Sequence, residues 1–193
     1  MKQLIRILGV CVLGATALAA YSLRGDETAE LVKALKASKH TLAEGIKQCS
    51  KSPQTALSAK FEFDDKGKLS LSVYAAGKGL EVAPDHNTLE ELSGSPEQAA
   101  WTPETEVFKD VEHVARSAQQ QTLLALTRLS LSDVVADVEK DTKGTVISIT
   151  PVVEGRKGWF ALKVLAGDKV TETKYGLNGD DDDDEKAEGG GKK

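Results

Sequence analysis

Hydrophobic residues recur along this chain with two periods, and each period appears twice in the same order. Between Glu27 and Ser50 the apolar positions Leu31, Leu35, Leu42, Ile46 and Cys49 are spaced by four, seven, four and three residues, which sets them on one stripe of a helix. Thr41-Leu42-Ala43-Glu44 has capping-box spacing, so the segment reads either as one helix or as two that break near Ser38, ending at Pro53 in both cases. The period then drops to two. Leu57, Ala59, Phe61 and Phe63 alternate with Ser58, Lys60 and Glu62, and Leu69, Leu71 and Val73 alternate with Ser70, Ser72 and Tyr74. With Asp64-Asp65-Lys66-Gly67 between them, these predict an antiparallel hairpin with one buried face. Gly77-Lys78-Gly79 is expected to turn into a short strand over residues 80–83, and residues 84–100 read as a linker.

Thr102-Pro103-Glu104 has the chemistry of a helix start, and Phe108, Val111, Ala115, Ala118, Thr122, Ala125 and Leu129 follow at helical spacing, predicting a long amphipathic helix. Ser130 or Ser132 re-caps the chain for a short helix with Val134, Val135 and Val138 on its stripe, ending before Gly144. Strand periodicity returns with Ile147, Ile149 and Val153, then Phe160, Leu162 and Val164, then residues 170–175, with turns at residues 154–158 and 166–169. Helix, strand, turn, strand, turn, strand thus occurs twice. Thr41 and Ser130 are offset by 89 residues, and Leu69 and Phe160 by 91, as expected of an internal repeat. The predicted fold class is α+β: two helix-on-antiparallel-sheet units in tandem, joined by a linker and a long helix. Each strand has one apolar face, so helices must cover that face while the other meets solvent or a partner.

The chain's start changes which residues enter the fold. Met1 to Ala20 carries Lys2 and Arg6, an apolar stretch from Ile7 to Ala19, and Ala17-Leu18-Ala19, the layout of a secretory signal peptide. The apolar stretch falls short of the roughly 20 residues a spanning helix needs, so no stable membrane span is expected after cleavage. The expected organisation is a signal peptide at 1–19, a first unit with its N-terminal helix at 20–90, a linker and long helix at 91–129, a second unit at 130–178, and an acidic disordered tail at 179–193.

All 193 residues together carry a formal charge of −5. Loss of residues 1–19 leaves 23 basic residues against 30 acidic, and residues 180–193 alone contribute −4. With no basic surplus, nucleic acid is not an expected partner. Cys49 becomes the single cysteine, and its place on the stripe with Leu42 and Ile46 predicts a buried thiol. His40, His86 and His113 lie in three different segments, and no nucleophile elbow or phosphate-binding loop is present, so no catalytic, cofactor or metal residue is assigned. Tyr74 and Trp159 occupy the strand phase opposite the apolar face and are the candidate partner contacts. The competing expectation is that contacts within the chain cover both.

The two units resemble the PepSY module. The resemblance rests on Asp65-Lys66-Gly67-Lys68 with Val73-Tyr74 in the first, and on Gly144, Phe160, Leu162 and Gly167-Asp168-Lys169 in the second. Where the family closes on an Asp-x-x-Thr-Gly pattern, the first unit reads Asp85-His86-Asn87-Thr88, with Asn87 able to take the left-handed backbone. The resemblance implies a helix packed on one face of an antiparallel sheet, no catalytic residues, and binding or restraint of other proteins, peptidases among them. Tandem copies are similar in arrangement to β-lactamase-inhibitor-like proteins. The expected function is therefore an exported, periplasmic or extracellular, non-catalytic module that binds an envelope or extracellular protein. Two alternatives stand beside it: a structural or cation-buffering envelope protein acting through the acidic tail, and a thiol enzyme built on Cys49.

Overall fold

The computed structural model describes residues 25–179. The expected signal peptide at 1–19 and all but the first residue of the expected acidic tail lie outside the described residues. The elements are α1 (Gly25–Leu35), α2 (Leu42–Cys49), β1 (Thr55–Phe63), β2 (Leu69–Ala76), a single 3-10 turn at Pro84–His86, β3 (Leu89–Gly94), β4 (Glu104–Val107), α3 (Val111–Leu126), α4 (Leu131–Thr142), β5 (Thr145–Glu154), β6 (Lys157–Ala166) and β7 (Lys169–Gly176). Local chemistry explains most boundaries. Thr41 and Glu44 form a reciprocal capping box at α2, and Ser130 and Asp133 form another at α4. Gly155 and Gly167 have φ of +61° and +63° at the first central position of the two-residue β5–β6 and β6–β7 turns, the place where a type II′ turn requires glycine.

All seven strands join one antiparallel sheet in the order β4-β3-β2-β1-β5-β6-β7. The class is α+β. The two helix-and-strand groups do not stand apart: β1 pairs with β5 through Ala59↔Ile149 and Lys60↔Ser148, so their first strands meet edge to edge in the middle of a shared sheet. Cross-strand register sorts the side chains into two faces, because directly opposite residues share a face. The row Val73–Ala59–Ile149–Leu162 marks the inner face. Helices α2 and α4 pack there against β1, β2, β5 and β6, and a Cβ on Gly45 of α2 would come within 2.8 Å of Leu71 Cδ2. The core is this interface: Leu42, Ile46, Val134, Leu57, Leu71, Ile149, Phe160 and Leu162 are all 2% exposed or less. α1 contributes Leu31 to the same cluster and touches β1, β2 and β7. About 16 Å long at 1.5 Å per residue, it crosses both halves of the sheet, and Lys36 reaches Asp168 in the β6–β7 turn at 3.0 Å. No helix among the described residues is long and apolar enough to cross a membrane.

Four sequence expectations are corrected. Residues 80–83 form no strand, and the third strand lies later, at Leu89–Gly94. Asn87 is the cause: its amide donates to the carbonyls of Gly79 and Val82 and its Oδ1 accepts from Lys78 N, which ties residues 78–87 into a loop. Asn87 does this through its side chain, with φ of −86°, and does not adopt the left-handed backbone. Thr102-Pro103-Glu104 does not begin a helix. Glu104–Val107 pairs with β3 as β4, and α3 starts at Val111, where Asp110 caps it by accepting from His113 N at 3.0 Å. The stripe expected for α3 is also turned. Val111 is 84% exposed and Ala115, Thr122 and Ala125 face solvent, whereas Ser117, Gln120, Gln121, Leu123 and Leu124 are buried.

Candidate functional site

The outer face of the sheet differs from the inner one in composition and in cover. One register row reads Glu104–Ser93–Ser72–Lys60–Ser148–Lys163–Glu172 from β4 to β7, and the adjacent row begins Glu106–Glu91–Tyr74–Ser58. Hydroxyls and charges of both signs occupy these positions, as expected of a solvent-facing sheet surface. α3 crosses only one end of this face, contacting β1, β2, β3 and β5. Its glutamines fit it there: the Ser58 hydroxyl donates to Gln120 Oε1 at 3.1 Å, while Gln121 Nε2 donates to the carbonyl of Val82 and its Oε1 accepts from Asn87 Nδ2 at 3.3 Å. A run of three glutamines, Gln119 to Gln121, was the available signal for this polar interface, and it reads as a solvent-facing stretch until the carbonyls opposite are known.

Tyr74 lies at the border of α3's cover. Its ring stacks on Phe108 at 5.7 Å, Phe108 stacks on His113 at 5.0 Å, and Lys60 Nζ sits 5.5 Å from the Tyr74 centroid. Burial pushes the phenol up to about 12 against the opposing pull of Lys60. Burial works against the charge on Lys60, but Tyr74 and Glu62, whose carboxylate lies 2.6 Å away, outweigh it and hold the ammonium above its ordinary pKa. Trp159 lies on the same face, three strands along in the sheet order, on the order of 15 Å from Tyr74 at about 4.8 Å per strand. It is 8% exposed, with Lys174 Nζ 4.0 Å over its ring. The structure therefore sets both residues on one face and engages each within the chain. The more open part of the face lies toward the β1–β2 and β6–β7 turns, where Lys60, Glu62, Ser93, Ser148 and Lys163 are half-buried, Glu172 is exposed, and Ser70 and Ser72 sit low among them.

Other chemistry is dispersed. Cys49 is fully buried, and burial followed by the Glu90 carboxylate pushes its thiol up to about 12, the opposite of what a reactive thiolate needs. His40 lies near Glu44 and the Gln98 carbonyl, His86 beside Asp85, and His113 beside Asp110. Among the described residues no group of three His, Cys, Asp or Glu side chains is placed to hold a metal. A depression of about 430 Å³ at the β4–α3 junction is lined by Thr105, Glu106, Val107, Lys109 and Asp110, all exposed. Trp101 belongs to the packing: it is 4% exposed, its indole donates to the Gly94 carbonyl at 3.2 Å, and its own carbonyl accepts from Gln48 Nε2, clasping the β3–β4 loop onto α2. No family model, curated protein or solved structure matches the chain.

Proposed function

We propose that this chain is an exported, non-catalytic protein-binding module, PepSY-like in its two helix-and-strand groups, that engages an envelope or extracellular protein through the outer face of its sheet. One observation carries the reading: the inner face takes three helices, whereas α3 crosses only one end of the outer face. The remaining surface is broad, offers hydroxyls and paired charges of both signs, and is bordered by Tyr74 and Trp159. Such a surface recognises a partner by hydrogen bonds and charge complementarity around a few aromatic groups. Restraint of a peptidase is the part of the proposal that rests on the PepSY resemblance alone.

The test is capture of a partner from the envelope fraction with tagged protein, repeated with Ser93→Arg and Ser148→Glu. Each adds bulk to the face beside a charge of opposite sign, Glu104 for the first and Lys60 with Lys163 for the second, so folding is preserved while the surface is blocked. Loss of the same partner in both variants, with an unchanged melting temperature, is the expected result. Retention of the partner in both rejects this face. The acidic segment 180–193, with its net charge of −4, supports the second reading, a structural or cation-buffering role. Truncation after Gly179 separates the two, because it abolishes capture only if the tail is the binding element.

A further inference from the structure

The two ends of the sheet are not equivalent. In the first half the third strand, β3, is followed by β4 on its outer edge. In the second half the third strand, β7, ends the sheet, and among the described residues no strand pairs with its outer edge. β7 is also the longer of the two edge strands, with eight residues against four, and it pairs with β6 without a register shift from Ala166↔Lys169 to Trp159↔Gly176. It contains no proline. A long, regular edge with unpaired backbone groups is a template for another strand.

The phase of β7 identifies the strand that fits. In a two-residue hairpin the closing pair exchanges backbone hydrogen bonds, so Lys169, Thr171, Thr173 and Tyr175 direct their backbone groups to β6, and Val170, Glu172 and Lys174 direct theirs outward, as does Gly176, whose carbonyl already accepts from Gly179 N at 3.1 Å. Glu172 and Lys174 are both exposed and both on the outer face. A two-fold axis normal to the sheet, passing between paired Thr173 residues, would set Glu172 opposite Lys174 of a second copy and Lys174 opposite its Glu172. Both contacts would be outward-pointing, hydrogen-bonded pairs of opposite charge. The alternative register centred on Glu172 would set two carboxylates against each other.

We infer that β7 is a self-complementary edge through which two copies of this chain pair, antiparallel and two-fold symmetric, into one continuous sheet. The contact is narrow, below the roughly 1,000 Å² of a stable interface, so the dimer forms reversibly and depends on concentration. Pairing of β7 with β4 of another copy would instead be head-to-tail and would not close at two.

Sedimentation equilibrium of the full processed protein over a wide concentration range tests this, with Glu172→Lys, Lys174→Glu and the double reversal. The expected result is a monomer–dimer equilibrium that each single reversal weakens by about tenfold, because two attractive cross-strand pairs become repulsive, and that the double reversal restores. Circular dichroism confirms that each variant is folded. A protein that stays monomeric to millimolar concentration, a dimer indifferent to the single reversals, a double variant as weak as the singles, or assembly beyond two copies would each overturn the inference.

Discussion

The hydroxyl of Ser58 donates to Gln120 Oε1 at 3.1 Å, joining a central strand to α3 across 62 residues of sequence with both side chains 4% exposed. Gln120→Ala would leave that hydroxyl buried without its acceptor, at a cost of about 1–3 kcal/mol. Ser58→Ala/Gln120→Ala should recover part of the loss, because neither partner is then orphaned. Urea denaturation of the two single variants and the double variant measures the coupling directly.

Two glycines with similar backbone separate conformational strain from steric contact. Gly67 has φ of +69° and open space around a built Cβ, so Gly67→Ala should cost only the left-handed penalty, roughly 1–2 kcal/mol. Gly79 has φ of +81°, and its Cβ would sit 2.7 Å from the Pro53 carbonyl oxygen. Gly79→Ala should be the more destabilising, since a backbone atom must move to admit the methyl. The difference in denaturation midpoint between the two variants is the readout.

High pH should unfold the protein through two buried acids. The Cys49 thiol rises from 9.0 to about 12 and the Tyr74 phenol from 10.0 to about 12 on folding, both chiefly by burial. Below 9 both states hold these protons and the stability they support is intact. Between 9 and 12 the unfolded chain releases protons that the folded chain retains, so stability falls as pH rises. Cys49→Val and Tyr74→Phe should each flatten that decline. In native protein at neutral pH, Cys49 should resist a thiol reagent until denaturant is added. Rapid native labelling would count against the buried thiol and in favour of the thiol-enzyme alternative.

Low pH acts through the caps and the first hairpin. The Ser130 hydroxyl and backbone hold Asp133 below its ordinary value, the His113 backbone and ring lower Asp110, and the Lys68 backbone N–H lowers Asp64. A depressed carboxyl contributes stability above its unfolded pKa, near 3.8, and that contribution disappears as pH falls through the folded values. Asp133→Asn should therefore lower stability at neutral pH while shallowing the acid limb. Ser130→Ala should remove about 1 kcal/mol at neutral pH. Thermal melts in buffers on either side of the carboxylate range check both.

Local chemistry was legible in the residues wherever one element satisfied itself. The capping boxes at Thr41 and Ser130, the hairpin turns at Gly67, Gly155 and Gly167, and the stripe that buries Cys49 follow from spacing and backbone preference. The same reasoning failed where a side chain answers to a distant partner. Asn87 and Gln121 serve the carbonyls of residues 79–82, which turned a predicted strand into a loop and buried a glutamine that lies off the stripe expected for α3. Glu104–Val107 became a strand because β3 offered it an edge, a fact that capping chemistry at Thr102 does not contain. Tyr74 and Trp159 were assigned to the correct strand phase by alternation, but their cover by Phe108 and Lys174 depends on segments 34 and 15 residues away.

The pattern of hydrophobic and polar positions by itself determined the α+β class, the succession of α2, β1 and β2 in one half and of α4, β5, β6 and β7 in the other, and which side of β1, β2, β5 and β6 is buried, because those follow from periods of 3.6 and 2 within a single element. Tertiary structure alone decided that the halves share one sheet through β1 and β5, that α3 lies across one end of the outer face, and that β4 covers one edge while β7 is left as the other. Each of those is a choice of partner between segments far apart in the chain, and strand edges and polar side chains accept many partners until packing selects one.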